Sequence, residues 1–294
     1  MGRRYDTVSF LTDYGVVDEF AGVVRSVIRD LAPHVTVVDL THGIRPFDVR
    51  GGSLALARSI GYVASGVVLA VVDPGVGSER RAVAIEVADG DGILIGPDNG
   101  LLAPAVAMVG GAQRAVELTN TDYQIAGPSA TFAGRDVFGP AAAHLCNGVE
   151  LLELGAEIDV DLLMPGVVPL AQIGDDVVIA HVLWVDRFGN VQLNVGPADL
   201  PATFGDHVSL RVDSPTDTSG GATRGARRAP SFSDVGPGAV GLVVDSSGLL
   251  AVVMNQRSAA DELGLDAGDQ VTLRSDDSAD PGDGRSQPVT IRPR

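Results

Sequence analysis

The chain contains no lysine; all 21 of its basic residues are arginine. Schiff-base chemistry and a Walker-type phosphate loop both need a lysine amine, so both are excluded. Cys146 is the single cysteine, which rules out an internal disulfide framework and a cysteine zinc cluster. The histidines are few (His34, His42, His144, His181 and His207), and none has metal-ligand spacing with another. HExxH, G-x-S-x-G and a G-x-G-x-x-G opening a helix are all missing. No apolar run is long enough to span a membrane. The opening MGRRYDTVSFLTDYG lacks a long apolar core and a small-residue cleavage site, which argues against a signal peptide. A cytoplasmic location is the default expectation. Positive charge is also short: the net charge is −17. That argues against nucleic acid and against an anionic membrane as partners, since both select a basic surface.

At 294 residues the chain has room for two domains of ordinary size. Its first half alternates apolar runs with helical patterns. Strands are expected at Thr7–Leu11, Thr36–Leu40 and Val67–Val72, with a strand pair at Ala82–Val87 and Gly92–Ile95. Helices are expected at Asp18–Leu31, Val49–Ile60, Asn99–Val109 and Arg135–Cys146. This order predicts an α/β domain over 1–165, a mostly parallel sheet flanked by helices. A linker follows at 166–175. The remainder, 176–294, shows short strands and turns with weak helical periodicity, which fits a small antiparallel barrel or sandwich. Within it, 214–231 reads as a flexible polar insertion and 276–294 as a polar tail.

The densest signal is VVLAVVDPGVGSERR, Val67–Arg81. A β-branched run ends in Asp73, Pro74 and Gly75 stop the strand, and Arg80 and Arg81 follow shortly after. Asp73 thus stands at the carboxyl end of a strand, where open α/β sheets place their ligands. Asp13 and Asp186 repeat the design, each after an apolar strand and before a glycine turn. Strand-end carboxylates without cysteine suit either a hard metal or the paired hydroxyls of a ribose. For Asp186, capping its own turn is an equally good reading. Thr131-Phe132-Ala133-Gly134-Arg135-Asp136 keeps the backbone accessible just before a helix, where free N–H groups meet anions or carboxylates. Ser246-Ser247-Gly248 and Asn255-Gln256-Arg257 flank a strand, and the Asn255 amide carries the donor and acceptor that an adenine edge requires.

Taken in order, several segments resemble the S-adenosyl-L-methionine (SAM) hydroxide adenosyltransferase family, relatives of the fluorinating and chlorinating enzymes that use the same substrate. They are FLTDYG, VTVVDLTHGIRPFDV, VVDPGVGSERRAVAIE, IGPDNGLL, TFAGRDVFGPAAAHL, VDRFGNVQLN and SSGLL…NQRSAA, and they cover nearly the whole chain. The resemblance implies an N-terminal α/β domain and a C-terminal β-barrel. It implies homotrimers whose active sites lie between the N-domain of one subunit and the C-domain of the next. The implied activity is hydrolysis of SAM to adenosine and L-methionine, without metal or redox cofactor. The other readings are a non-catalytic adenosine- or SAM-binding protein and a SAM-dependent halogenase. A methyltransferase is disfavoured, because Asp13-Tyr14-Gly15 replaces the glycine-rich loop after the first strand.

By the same resemblance Asp13 holds the ribose hydroxyls and Phe47 lines the sugar pocket. Asp186, Phe188 and Asn190 face the methionine part or the adenine. Ser246, Met254, Asn255 and Gln256 contact adenine from the neighbouring subunit. Asp18, Glu19, Phe20, Thr131, Phe132, Gly134 and Ser247 complete the implied substrate-binding set. The hydrolases of the family carry an Asp-Arg-His triad around the nucleophilic water. Asp73 and Arg80 match its first two members, and Ala133 stands at the histidine position. That substitution implies slow turnover with substrate binding largely kept.

Overall fold

The computed structural model describes residues 4–213 and 222–276. The chain divides into two compact units, Met1–Val168 and Pro169–Arg294. The strands of the first are β1 (Thr7–Thr12), β2 (Thr36–Thr41), β3 (Gly66–Val71), β4 (Ala82–Val87), β5 (Gly92–Pro97), β6 (Arg114–Glu117) and β7 (Ala156–Ile158). They form one sheet in the order β2-β1-β3-β5-β4-β6-β7. The β2-β1-β3-β5 part is parallel, and β4, β6 and β7 extend it with antiparallel pairings. The helices are α1 (Phe20–Leu31), α2 (Val49–Ile60), α3 (Ala103–Met108) and α4 (Gly139–Cys146).

Burial on both faces explains the continuous apolar run in β3. Val67, Leu69 and Val71 pack in one layer with Val24 and Ile28 of α1 and Leu145 of α4. Val68, Ala70 and Val72 pack in the opposite layer with Leu56 of α2 and Ala105 of α3. The two-residue period of a strand thus supplies a core on each side of the sheet.

Three helices differ from their sequence expectation for local reasons. α1 starts at Phe20 rather than Asp18, because Val16–Glu19 are exposed and have no layer to pack against. The Asn99–Val109 expectation shrinks to Ala103–Met108. Asn99 spends its side chain on the Val72 carbonyl (2.9 Å) and the Leu101 N–H (3.2 Å), an alternative to helical bonding. The last helix opens with a π-type turn, Gly134–Phe138, before α4. Pro140 has no N–H for the Asp136 carbonyl, and the Ile125 N–H takes that acceptor instead at 2.9 Å.

Cys146 is fully buried at the end of α4, and burial pushes its thiol up to about 12. The thiolate is the reactive form. The native protein is therefore expected to resist an aromatic disulfide reagent at about pH 8 and to react fully once unfolded. Rapid native labelling, followed by absorbance, would contradict that packing.

The second unit contains β8 (Gln172–Ile173), β9 (Val177–Val185), β10 (Val191–Leu193), β11 (His207–Asp213), β12 (Ala222–Arg228), β13 (Val240–Val244), β14 (Leu250–Met254), α5 (Ala259–Leu263) and β15 (Gln270–Ser275). Strands run in the order β10-β14-β13-β12-β11-β15-β9, and β9 pairs again with β10, closing a seven-stranded barrel. Alternate residues such as Val178, Ala180 and Val182, or Val208 and Leu210, fill its interior.

Two expectations change here. Gln172–Ile173, read as linker, pairs with β9. Of the expected flexible insertion 214–231, residues 222–228 are a barrel strand. β12 pairs antiparallel with β11 and parallel with β13. Main-chain hydrogen bonds on both sides hold ATRGARR regardless of its polar side chains. Ala226 supplies an inward apolar contact. Residues 214–221, and 277–294 of the expected polar tail, lie outside the described residues. Among the described residues, no helix is long and apolar enough to cross a membrane.

Candidate active site

Thr12 of β1 lies opposite Val71 of β3 in parallel register. The turns that follow therefore leave the same sheet edge, and Asp13 and Asp73 come to that edge together. After Asp73 the chain reverses through Gly77 at φ +79°, and the Arg80 side chain returns over the turn. Its Nε donates to Asp73 Oδ1 at 2.8 Å and Oδ2 at 3.0 Å, and its Nη2 also donates to Oδ2. Asp73 is 6% and Arg80 15% exposed in their side chains. The Arg80 guanidinium also lies 5.2 Å from the Phe138 ring centroid. A charge-assisted fork of this kind fixes the plane of the carboxylate.

Asp13 is held differently. Its Oδ2 accepts the Phe47 N–H at 2.9 Å. Burial raises its carboxyl above the usual range, the Phe47 hydrogen bond opposes that, and the Asp73 charge adds a smaller upward push. Phe47 has φ +68° and is exposed. His42 fastens the Asp13 turn from behind. Its Nδ1 lies 2.8 Å from the Thr12 hydroxyl, its carbonyl accepts the Gly15 N–H at 2.7 Å, and its Nε2 faces Asp39 at 3.2 Å.

Tyr14, Phe20 and Phe132 form an aromatic triangle with ring centroids 5.2–5.9 Å apart. Gly134 is buried against it, and a Cβ there would overlap the Tyr14 hydroxyl. Ala133, one residue earlier, presents only a methyl. Thr131 is exposed and pairs its hydroxyl with Ser129 at 2.9 Å. Arg135 forks onto Asp136 at 2.6 and 2.8 Å and stacks over Phe132. Asp18 and Glu19 stand exposed beside Phe20.

In the second unit, Phe188, Asn190, Met254 and Gln256 line one pocket of about 420 Å³ with Phe232, Arg257 and Ser258. Asp186 builds the wall of this pocket rather than facing it. Its oxygens accept the Phe188 N–H, the Asn190 N–H and the Asn190 amide at 2.8–2.9 Å. Asn255 donates to the Val235 carbonyl at 3.2 Å. Ser246 and Ser247 sit on the exposed turn at the far end of β14 from Asn255 and Gln256. Sequence reasoning missed Tyr14 and Phe232. Tyr14 was legible as the neighbour of Asp13, whereas Phe232 borders the stretch whose polarity masked a strand.

A chain with an α/β unit, a closed barrel and carboxylates at a parallel strand edge matches known proteins over most of its length. The SAM hydroxide adenosyltransferase N-terminal domain matches residues 8–155, and the C-terminal domain of the same family matches residues 180–272. The chain belongs to this family. It is 45% identical over 266 residues to an (R)-S-adenosyl-L-methionine hydrolase of Salinispora tropica, covering 90% of this chain and 97% of that one. A fluorinase of Actinoplanes sp. is 28% identical over 292 residues, covering 90% and 96%. A crystal structure of an uncharacterized conserved protein from Thermotoga maritima superposes with a TM-score of 0.79 at 33% identity, covering 90% of this chain and 99% of that one.

Proposed function

We propose that this enzyme hydrolyses SAM to adenosine and L-methionine by in-line attack of water at the ribose C5′. The carrying observation is the Asp73 carboxylate, clamped by Arg80 at the same sheet edge as Asp13. The S. tropica relative named as a hydrolase supports the same reading. The substrate's leaving group is a neutral thioether, so the reaction needs a positioned nucleophile and neither metal nor redox cofactor. Asp73 polarises the water and takes its proton; Arg80 holds Asp73 in place. Asp13 accepts the ribose diol, and Phe47 covers the sugar. The pocket around Phe188, Asn190 and Met254 takes the adenine end. Catalytic sites form in a homotrimer, with the second unit of a neighbouring subunit completing each one. Ala133 leaves the third position without an acid–base group, which slows the reaction without blocking it.

Hydrolysis is favoured over halogenation on charge. Two like charges about 4 Å apart cost ~1–4 kcal/mol in water-like to surface-like surroundings. Arg80 Nε and Nη2 both donate to the Asp73 carboxylate, whose own negative charge opposes a halide beside it. Incubation with SAM in chloride buffer, followed by chromatography, is expected to give adenosine and methionine. A main product of 5′-chloro-5′-deoxyadenosine would overturn the assignment, and ligand binding without any product would favour a binding protein.

The raised Asp13 carboxyl sets the pH response of binding. An ionised carboxylate accepts both diol hydrogens, and the protonated form does not. Affinity for adenosine is therefore expected to be full near neutrality and to weaken as pH falls, beginning above the ordinary aspartate value of about 3.9. Calorimetry across this range checks it, with Asp13→Asn expected to bind weakly and without the pH dependence.

A further inference from the structure

We infer that the Tyr14 hydroxyl is a catalytic group that holds the attacking water against Asp73. The inference rests on the hydrolysis reading and adds a residue to it. Three observations place the hydroxyl. It lies against the buried Gly134, whose missing Cβ is what makes room for it. The ring is clamped by Phe20 and Phe132, at centroid distances of 5.8 and 5.9 Å, so the oxygen has little freedom to swing away. Tyr14 directly follows Asp13 at the sheet edge that Asp73 also leaves, because Thr12 and Val71 stand in parallel register. Its hydroxyl has no hydrogen-bond partner among the described residues, although Tyr hydroxyls in such surroundings normally find one.

The chemistry assigned to it is orientation. Burial, reinforced by the two carboxylates and opposed by Arg80, raises the phenol well above its usual range, so it keeps its proton throughout the working pH range. It is therefore no base. Its oxygen accepts one hydrogen of the water while Asp73 accepts the other, and a lone pair is left facing C5′. As the C–O bond forms, the C–S bond breaks. Its electron pair neutralises the sulfonium, and the proton passes to Asp73 and then to solvent. The neighbouring residue 133 offers only a methyl, so the second contact to the water falls to Tyr14.

Tyr14→Phe removes one oxygen and keeps the ring packing, so folding is not at issue. In the full-length protein it is expected to lower kcat for adenosine release by ~10²-fold, the scale of losing alignment of the reactant. The adenosine Kd should stay within about twofold. Gly134→Ala, which pushes into the hydroxyl, should lower kcat in the parent protein and add little on top of Tyr14→Phe, a non-additivity that marks a shared contact. If the parent protein releases adenosine and Tyr14→Phe does so within about threefold of it, the Tyr14 assignment falls while the hydrolysis reading stands. A weakened adenosine Kd with unchanged kcat would also overturn it, by moving the hydroxyl to the sugar. If the parent protein releases no adenosine at all, the hydrolysis reading itself falls and takes this inference with it.

Discussion

Asp73→Asn is expected to lower kcat by about 10³-fold and to leave the adenosine Kd nearly unchanged. An amide cannot take the proton that the water gives up. The substitution also disturbs Arg80, whose Nε and Nη2 now meet an acceptor on one side and an NH₂ on the other. Arg80 is largely buried and its guanidinium also stacks on the Phe138 ring. Losing one partner of a buried pair is destabilising by about 3–5 kcal/mol in well-formed cases. A lower Tm is therefore expected alongside the lost rate. Single-turnover chromatography at saturating SAM separates the two effects, because folded protein is scored by adenosine binding. Undiminished kcat in folded Asp73→Asn would remove the central group of the proposed mechanism.

Gly189→Ala is expected to be the most damaging small substitution in the second unit. Gly189 has φ +80°, and a Cβ there would lie 2.6 Å from the backbone Cα of Ser258. Its carbonyl accepts the Ala260 N–H at 3.0 Å, which ties the β9–β10 turn to the start of α5. Left-handed strain contributes roughly 1–2 kcal/mol and overpacking against backbone ~1–3 kcal/mol, so a loss of about 2–5 kcal/mol is expected. The turn carries Phe188 and Asn190 and meets Ser258, so the pocket should weaken with it. Gly205→Ala is the control: nothing lies within 4 Å of its added Cβ, and a change within about 0.5 kcal/mol is expected. Denaturant unfolding of both variants is the measurement. Equal stabilities would mean that the turn does not pack on Ser258 as described.

Much of the first unit was legible because its strands are buried on both faces. Val67–Val72 reads as a strand from composition alone, and the acid after it marks the edge. The parallel register of β1 and β3 then brings Asp13 and Asp73 to one side, as the shared motif design suggested. β12 was not legible. Its residues carry no apolar alternation, and its place between β11 and β13 comes from main-chain pairing that side-chain periodicity does not report. β6 and β7 are short and were missed for a similar reason: three or four residues carry too little pattern. Asp186 shows the limit of reading a motif by type. The same strand–acid–glycine design leaves Asp73 clamped by Arg80 at a sheet edge and turns Asp186 onto its own loop. Only the hydrogen bonds to Phe188 and Asn190 tell the two apart.

Sequence alone settled where the buried strands of the first unit end, which of those ends carry acids, and that lysine chemistry is absent. Local composition decides these matters, since burial and turn geometry act on neighbours along the chain. Tertiary structure decided which acid meets an arginine, why residue 134 is glycine, and which aromatic rings pack around it. Those depend on contacts between segments far apart in the chain, such as Tyr14 against Gly134, and a close approach across the fold leaves no periodic trace.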